Sequence, residues 1–109
     1  MLKHATFVRM IRIVKMHFRP DAVADFLHLF EAKKHRIAAF EGCQHVVLWR
    51  DKHCPDLFFT HSCWQSPEHL EAYRQSAFFR ETWAITKTFF AQAPEAWSVE
   101  EVTDNSISL

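Results

Sequence analysis

The sequence of 109 residues contains a single glycine and a single tyrosine, and it has no excess of either charge. Lys and Arg total 13, as do Asp and Glu, so no long-range field would attract nucleic acid or an anionic membrane. The three cysteines are an odd number without a CxxC pair, which argues against a disulfide framework. No apolar run approaches the roughly 20 residues that span a bilayer, and no signal-type apolar stretch opens the sequence. These absences predict a cytoplasmic protein that binds neither nucleic acid nor membrane.

Aromatic residues, in contrast, are abundant. The 11 Phe and 4 Trp bring the aromatic fraction to 15%. Such rings mostly build a core, but in a small domain they can also line a cavity or cover a subunit interface. The length fits one domain. We divide the chain into an extension at 1–9, a folded domain at 10–103 and a polar tail at 104–109.

The hydrophobic periodicity predicts alternating strands and helices. An apolar, β-branched stretch at 10–18 predicts the first strand, and apolar residues at three- and four-residue steps predict an amphipathic helix at 21–40. Strands at 43–51 and 57–64 follow, then one long helix or two consecutive helices from Ser66 to about Ala93, and a last strand at 96–102. Ser66 and Pro67 are typical of a helix start. Gly42, the only glycine, is expected to cap the first helix.

The element order β-α-β-β-α-β is that of an α+β, ferredoxin-like fold, a four-stranded antiparallel sheet with its helices on one face. In such a sheet one face is usually polar. These strands instead carry apolar residues on both sides, since Ile11 and Ile13 alternate with Val14 and Met16. Two helices cover only one face, so the other face needs a second apolar layer. We therefore predict a homodimer whose sheets pack face to face as a dimeric α/β barrel.

Two stretches carry a resemblance to a known family. They are FEGC at 40–43, which closes the first helix, and WQSPEHLEAYRQSAFF, in which Trp64 ends a strand before a long helical region. They resemble the antibiotic-biosynthesis monooxygenase family over roughly residues 10–103. The resemblance implies a monooxygenase that oxidises a small aromatic ligand (a quinol, phenol or anthrone-like compound) with dioxygen and needs no metal, flavin or other cofactor. It also places Trp64 at the family's tryptophan and Tyr73 where many members carry a histidine.

The chain departs from the pattern of that family at several positions. Many members have a glutamate two residues before the tryptophan, where this chain has Ser62, and the anthrone-oxidising members have an asparagine in place of Thr60. The haem-degrading members combine an asparagine, a tryptophan and a histidine, of which this chain keeps only Trp64, with Met16 and Tyr73 at the other two positions. Haem degradation is therefore disfavoured. A non-catalytic dimer that binds or senses a small ligand on the same scaffold stays open as the alternative.

Four side chains are the candidate catalytic residues, namely Trp64, Tyr73, His61 and His45. We expect Trp64 to wall an apolar cavity between sheet and helices, with the Tyr73 hydroxyl and one strand histidine as polar contacts. The histidine, His61 or His45, would accept a phenolic proton because an ordinary imidazole titrates near neutral pH. Arg74, beside Tyr73, is expected to face solvent or to form a salt bridge.

The same two strands also carry possible metal ligands. His61 and Cys63 alternate along one strand, and Cys43 and His45 along its neighbour, so each pair is expected to face one side of the sheet. A register that joined the pairs would bring together ligands of the kind that zinc prefers. The sequence has no metal-binding spacing, however, and we predict that the protein holds no metal.

Overall fold

The computed structural model describes residues 10–102, which form a sheet of four strands with three helices. The strands are β1 (Met10–His17), β2 (Cys43–Arg50), β3 (Leu57–Trp64) and β4 (Glu95–Glu100). The helices are α1 (Val23–Ala38), which follows a 3-10 turn at Pro20–Ala22, α2 (Pro67–Arg74) and α3 (Ala77–Lys87). All strand pairs are antiparallel, in the order β2-β3-β1-β4, and the predicted α+β ferredoxin-like fold is confirmed. The predicted extension at 1–9 and tail at 104–109 lie outside the described residues.

The register separates two faces of the sheet. On the helix-facing side, Met16 of β1 is paired with Phe58 of β3, and both are buried against Phe26 of α1. The opposite side, which we call the open face, consists of odd-numbered residues, and its apolar members are Ile11, Ile13, Val47, Trp49, Leu57, Phe59, Trp97 and Val99. Trp49, Trp97 and Val99 remain 44–49% exposed. The sheet is therefore apolar on both sides, as the strand sequences indicate.

The buried side chains form two clusters between the sheet and the helices. Met16, Phe18, Phe26 and Phe58 hold α1 on β1 and β3. Trp64, Leu70, Tyr73 and Phe78 hold α2 and α3 at the end of β3. Each fully buried large apolar side chain contributes about 1.5–3 kcal/mol. The two clusters thus fix the positions of the helices relative to the sheet.

The region after β3 contains two helices rather than one, because two serines each start a helix. Ser66 Oγ accepts a hydrogen bond from the His69 backbone N–H at 3.2 Å, and Ser76 Oγ accepts one from the Phe79 N–H at 3.1 Å. Ser76 Oγ also donates to the Tyr73 carbonyl at 2.6 Å, across the break. Within residues 10–102, no helix is long and apolar enough to cross a membrane.

Gly42 does not cap the first helix, and this prediction is wrong. α1 ends at Ala38 with Ala39 in a right-handed conformation, and Gly42 follows in the turn that enters β2. Its φ is +86°, in the left-handed region that favours glycine. A Cβ at this position would overlap the ring of His69, and the Gly42 carbonyl accepts a hydrogen bond from the Gln65 N–H at 2.7 Å. The single glycine is therefore needed where the turn before β2 passes close to the start of α2.

Candidate active site

A cavity of about 340 Å³ lies between the helix-facing side of the sheet and the helices. Its walls are largely apolar and include Val14, Phe30, Ile37, Leu70, Phe79 and Trp83. The volume falls at the lower end of the range for small-molecule sites, which suits an aromatic ligand of one or two rings.

Trp64 and Tyr73 lie together in the wall of this cavity. Trp64 is the last residue of β3 and is 1% exposed, and Tyr73 returns over it from the last turn of α2. Their ring centroids are 5.1 Å apart at an interplanar angle of 29°. The Trp64 indole N–H donates to Ser62 Oγ at 2.9 Å, which fixes the orientation of the indole. The turn at Ser66 thus places these two rings in contact. Their catalytic role stays a prediction.

The Tyr73 hydroxyl stays protonated at ordinary pH. Burial raises the pKa of Tyr73 well above its usual value, and the nearby Cys43 thiol raises it further. Within residues 10–102, the hydroxyl makes no hydrogen bond to another side chain or to the backbone. The site therefore contains a neutral phenol that can donate a hydrogen bond to a bound ligand.

The raised pKa of Tyr73 can be measured directly, because this is the only tyrosine in the chain. We expect no tyrosinate absorbance at 295 nm as the pH passes the ordinary pKa of about 10. The folded state binds this proton more tightly than the unfolded state, so its contribution to stability is present below pH ~10 and is lost above it. Tyrosinate should form only together with unfolding, followed by circular dichroism. Ionisation near pH 10 in a folded protein would contradict the buried position.

The expected position of the strand histidines is wrong. His61 is paired with Val47 and His45 with Cys63, so both histidines lie on the open face, away from the cavity. Their ring centroids are 5.8 Å apart, and His61 also lies against the Trp49 ring, with centroids 4.8 Å apart. The reason is the alternation of a strand, since His61 is an odd number of residues from Trp64. On β3, the cavity is therefore lined by Ser62 and not by the expected His61.

A β-bulge changes the arrangement expected for the possible metal ligands. The register shifts between Cys43 and His45, so that Cys43 is paired with Trp64 while His45 is paired with Cys63. Cys43 therefore packs on the cavity side, where burial raises the pKa of its thiol, and it does not share a face with His45. Among residues 10–102, no three His, Cys, Asp or Glu side chains converge to hold a metal ion.

Two arginines that were not among the candidate site residues, Arg12 and Arg74, also line the cavity. Arg12 Nη1 donates to Ser98 Oγ at 3.0 Å, and Arg74 Nη1 donates to Glu71 at 3.0 Å, so the expected salt bridge of Arg74 is present. Burial and the like charge of Arg74 lower the pKa of Arg12, and Glu71 acts in the opposite direction. The alternation of the first strand contained the signal, because Arg12 is the charged residue between Met10 and Val14 on the helix-facing side.

Several solved structures share this fold. A conserved protein from Methanosarcina mazei Go1 superposes with a TM-score of 0.83 at 16% identity, over 90% of this chain and 97% of its own. An antibiotic biosynthesis monooxygenase gives 0.81 at 16% identity, over 86% and 99%. Rv0793 from Mycobacterium tuberculosis gives 0.81 at 17% identity, over 90% and 99%. At these identities the likeness extends to the fold alone.

Sequence comparison provides the assignment that these structures cannot. No curated protein matches the chain at a significant level. The family described as antibiotic biosynthesis monooxygenase matches residues 9–84, which include the first three strands, the cavity wall at Trp64 and Tyr73, and most of α3. The match spans well over half of the sequence. The chain therefore belongs to the antibiotic biosynthesis monooxygenase family.

Proposed function

We propose that this protein is a monooxygenase that oxidises a small, electron-rich phenolic substrate with dioxygen. Membership of the family supports monooxygenase chemistry in general. The observation that carries the substrate class is the apolar cavity of about 340 Å³ bounded by the Trp64–Tyr73 ring stack. An aromatic ring is the ligand that such walls favour, and the few polar groups would fix its orientation.

The proposed reaction needs no external reductant, because the substrate supplies the electrons. A phenol with a free para position gains one oxygen atom and loses two hydrogens, giving a quinone, while the second atom of dioxygen leaves as water. The phenol loses its proton to water, and the phenolate transfers an electron to dioxygen. A C–O bond then forms to the resulting superoxide, and the peroxide takes up one proton to give a hydroperoxide. The O–O bond breaks as the distal oxygen leaves in water and the ring C–H proton is lost. The four electrons that reduce dioxygen all come from the ring.

Tyr73 has a defined part in this scheme. Since its hydroxyl stays protonated, it can donate a hydrogen bond to oxygen as negative charge develops on the substrate. Trp64 supplies a rigid apolar surface, held by its hydrogen bond to Ser62. An apolar site that excludes water strengthens both the hydrogen bond and the electrostatic stabilisation of the anion.

We expect Tyr73→Phe to lower turnover at least about tenfold, since a hydrogen bond to a charged group contributes about 1.5–3 kcal/mol. Trp64→Phe should lower turnover as well, because it removes the hydrogen bond to Ser62 and part of the cavity wall. The measurement is oxygen uptake with a panel of quinols and anthrones, together with ¹⁸O₂ labelling, which should place one labelled atom in the product. Phe40→Leu is the control, because Phe40 packs on Tyr73 with ring centroids 5.0 Å apart but does not line the cavity. Wild-type rates in both site variants would refute the assignment of this site.

One observation favours a second candidate, a dimer that binds a small ligand without turnover. Among residues 10–102, the cavity lining contains no histidine and no cysteine, so it lacks a side chain whose ordinary pKa lies near neutral pH. The same experiment separates the two candidates. A ligand that raises the melting temperature without oxygen uptake, across the whole panel, would support the binding protein.

We also propose that the protein is a homodimer through the open face. Three large apolar side chains on that face, Trp49, Trp97 and Val99, remain nearly half exposed in the isolated chain. Contiguous apolar surface of this kind usually marks an interface. A two-fold axis lets the same face of a second copy cover it.

A further inference from the structure

Arg12 occupies an unusual place for a charged side chain. It is the third of the eight residues of β1, a central strand of the sheet, and lies on the side that faces the helices. Its neighbours in the sheet are Ser62 on β3 and Ser98 on β4, so a polar row crosses an otherwise apolar surface. Its side chain is half-buried there, and a charged side chain seldom faces an apolar cavity without a partner of opposite charge.

Within residues 10–102, Arg12 has no such partner. Among those residues, its side chain donates one hydrogen bond, to the neutral Ser98 hydroxyl, and no carboxylate lies within 4 Å of it. The nearby Arg74 already has an ion-pair partner in Glu71. A guanidinium has five N–H donors, so most of those on Arg12 stay available to a ligand.

The charge of the cavity lining points the same way. Among the described residues 10–102, its cationic side chains are Arg12, Lys33 and Arg74, whereas its one carboxylate is that of Glu95. Burial and the neighbouring Arg74 lower the pKa of Arg12, whereas Glu71 raises it, so the charged guanidinium has a net electrostatic cost at this position. A bound anion would remove this cost and fill the available donors.

We propose that the cavity binds aromatic acids, with a carboxylate on the ligand paired to the guanidinium of Arg12. This inference rests on the proposed function, because it names the class of substrate for the same site. A carboxylate suits the site better than a phenol alone for two reasons. The planar guanidinium matches a carboxylate through two parallel hydrogen bonds, and a carboxylate is already ionised at neutral pH, so it needs no base in the lining.

The test is a comparison of two probes of equal shape, 6-hydroxy-2-naphthoate and 6-hydroxy-2-naphthamide. Binding is measured by calorimetry without oxygen, so the result does not depend on turnover. We expect the acid to bind at least about tenfold more tightly than the amide, in line with the strength of charge-assisted pairs. Arg12→Gln should abolish the preference. Arg80→Gln should keep it, since Arg80 is exposed on α3 and lies outside the lining.

A second variant tests the charge without removing the arginine. Ser98 is exposed on β4 and already accepts the hydrogen bond from Arg12, so Ser98→Glu would supply a carboxylate from the protein itself. It should remove the preference for the acid, whereas Ser98→Gln, of equal size, should keep it. Equal affinities of the wild type for acid and amide would overturn the inference. If the acid binds more tightly than the amide but no oxygen is consumed, the binding of aromatic acids is supported and the proposed oxidation is refuted.

Discussion

Replacing Trp49 with glutamate is expected to convert a dimer into a monomer. Trp49 lies on β2 in the open face, is 49% exposed in the isolated chain and contacts the ring of His61. In a dimer whose sheets pack face to face, this indole would be buried, and large aromatic residues in such positions often contribute more than 2 kcal/mol to association. A glutamate there would place a charge without a partner in the apolar layer between the sheets, at a cost of several kcal/mol.

The measurement is the molar mass by light scattering at micromolar concentration, compared between the wild type and two variants. Ile85→Glu is the matched control, because Ile85 is also a large apolar residue, 46% exposed, but lies on α3 in the helix layer. We expect a dimer for the wild type and for Ile85→Glu, and a monomer or an unfolded chain for Trp49→Glu. A monomeric wild type would eliminate the dimer.

Gly42→Ala is expected to destabilise the folded protein by about 2–5 kcal/mol. Any residue with a Cβ costs about 1–2 kcal/mol in the left-handed conformation, and Gly42 has a φ of +86°. The added methyl group would also overlap the His69 ring, and overpacking typically costs about 1–3 kcal/mol. The ring cannot move away freely, since its Nδ1 lies 2.7 Å from Ser66 Oγ. The loss is large beside a typical stability of about 5–15 kcal/mol.

Urea denaturation at fixed protein concentration measures this loss. Glu41→Ala, an exposed neighbour with ordinary backbone angles, should stay within about 0.5 kcal/mol of the wild type. The double variant Gly42→Ala with His69→Ala should be less destabilised than the sum of the two single variants, because the overlap with the ring carbons is gone while the overlap with the Cβ of residue 69 and the backbone strain persist. If Gly42→Ala is as stable as the wild type, then neither the positive φ nor the contact with His69 holds in solution.

The fold was largely predictable from the sequence, because local patterns and the tertiary structure agree. The bounds of β3 follow from its apolar run, and the start of α2 follows from Ser66 and Pro67. The FEGC junction and the stretch around Trp64, together with the order of the strands, pointed to the family that the sequence match at 9–84 shows. In each of these cases a short segment decides its own structure.

The features that could not be predicted depend on contacts between distant segments. Gly42 is required by the ring of His69, 27 positions later, and no pattern near the glycine indicates this contact. The bulge that separates Cys43 from His45 depends on how β2 pairs with β3. The position of His61 is different, because it could have been predicted: strand alternation places His61 on the side of the sheet opposite to Trp64. The proposed role of Arg12 could not be inferred from the sequence, because it depends on the positions of Ser98 and Arg74, which only the folded structure gives.

The pairing of β1 with β4 has a consequence for how the chain folds. Met10 and Glu100 are Cα partners, so the ladder between these strands closes a loop of about ninety residues. The β2–β3 hairpin, in contrast, is local, and it can form early in folding. The entropy of closing a large loop is recovered only when the rest of the sheet is already in place. We therefore expect β4 to dock last. During synthesis, one edge of β1 would stay unpaired until residue 100 has left the ribosome. During that interval its apolar side chains would be accessible to chaperones.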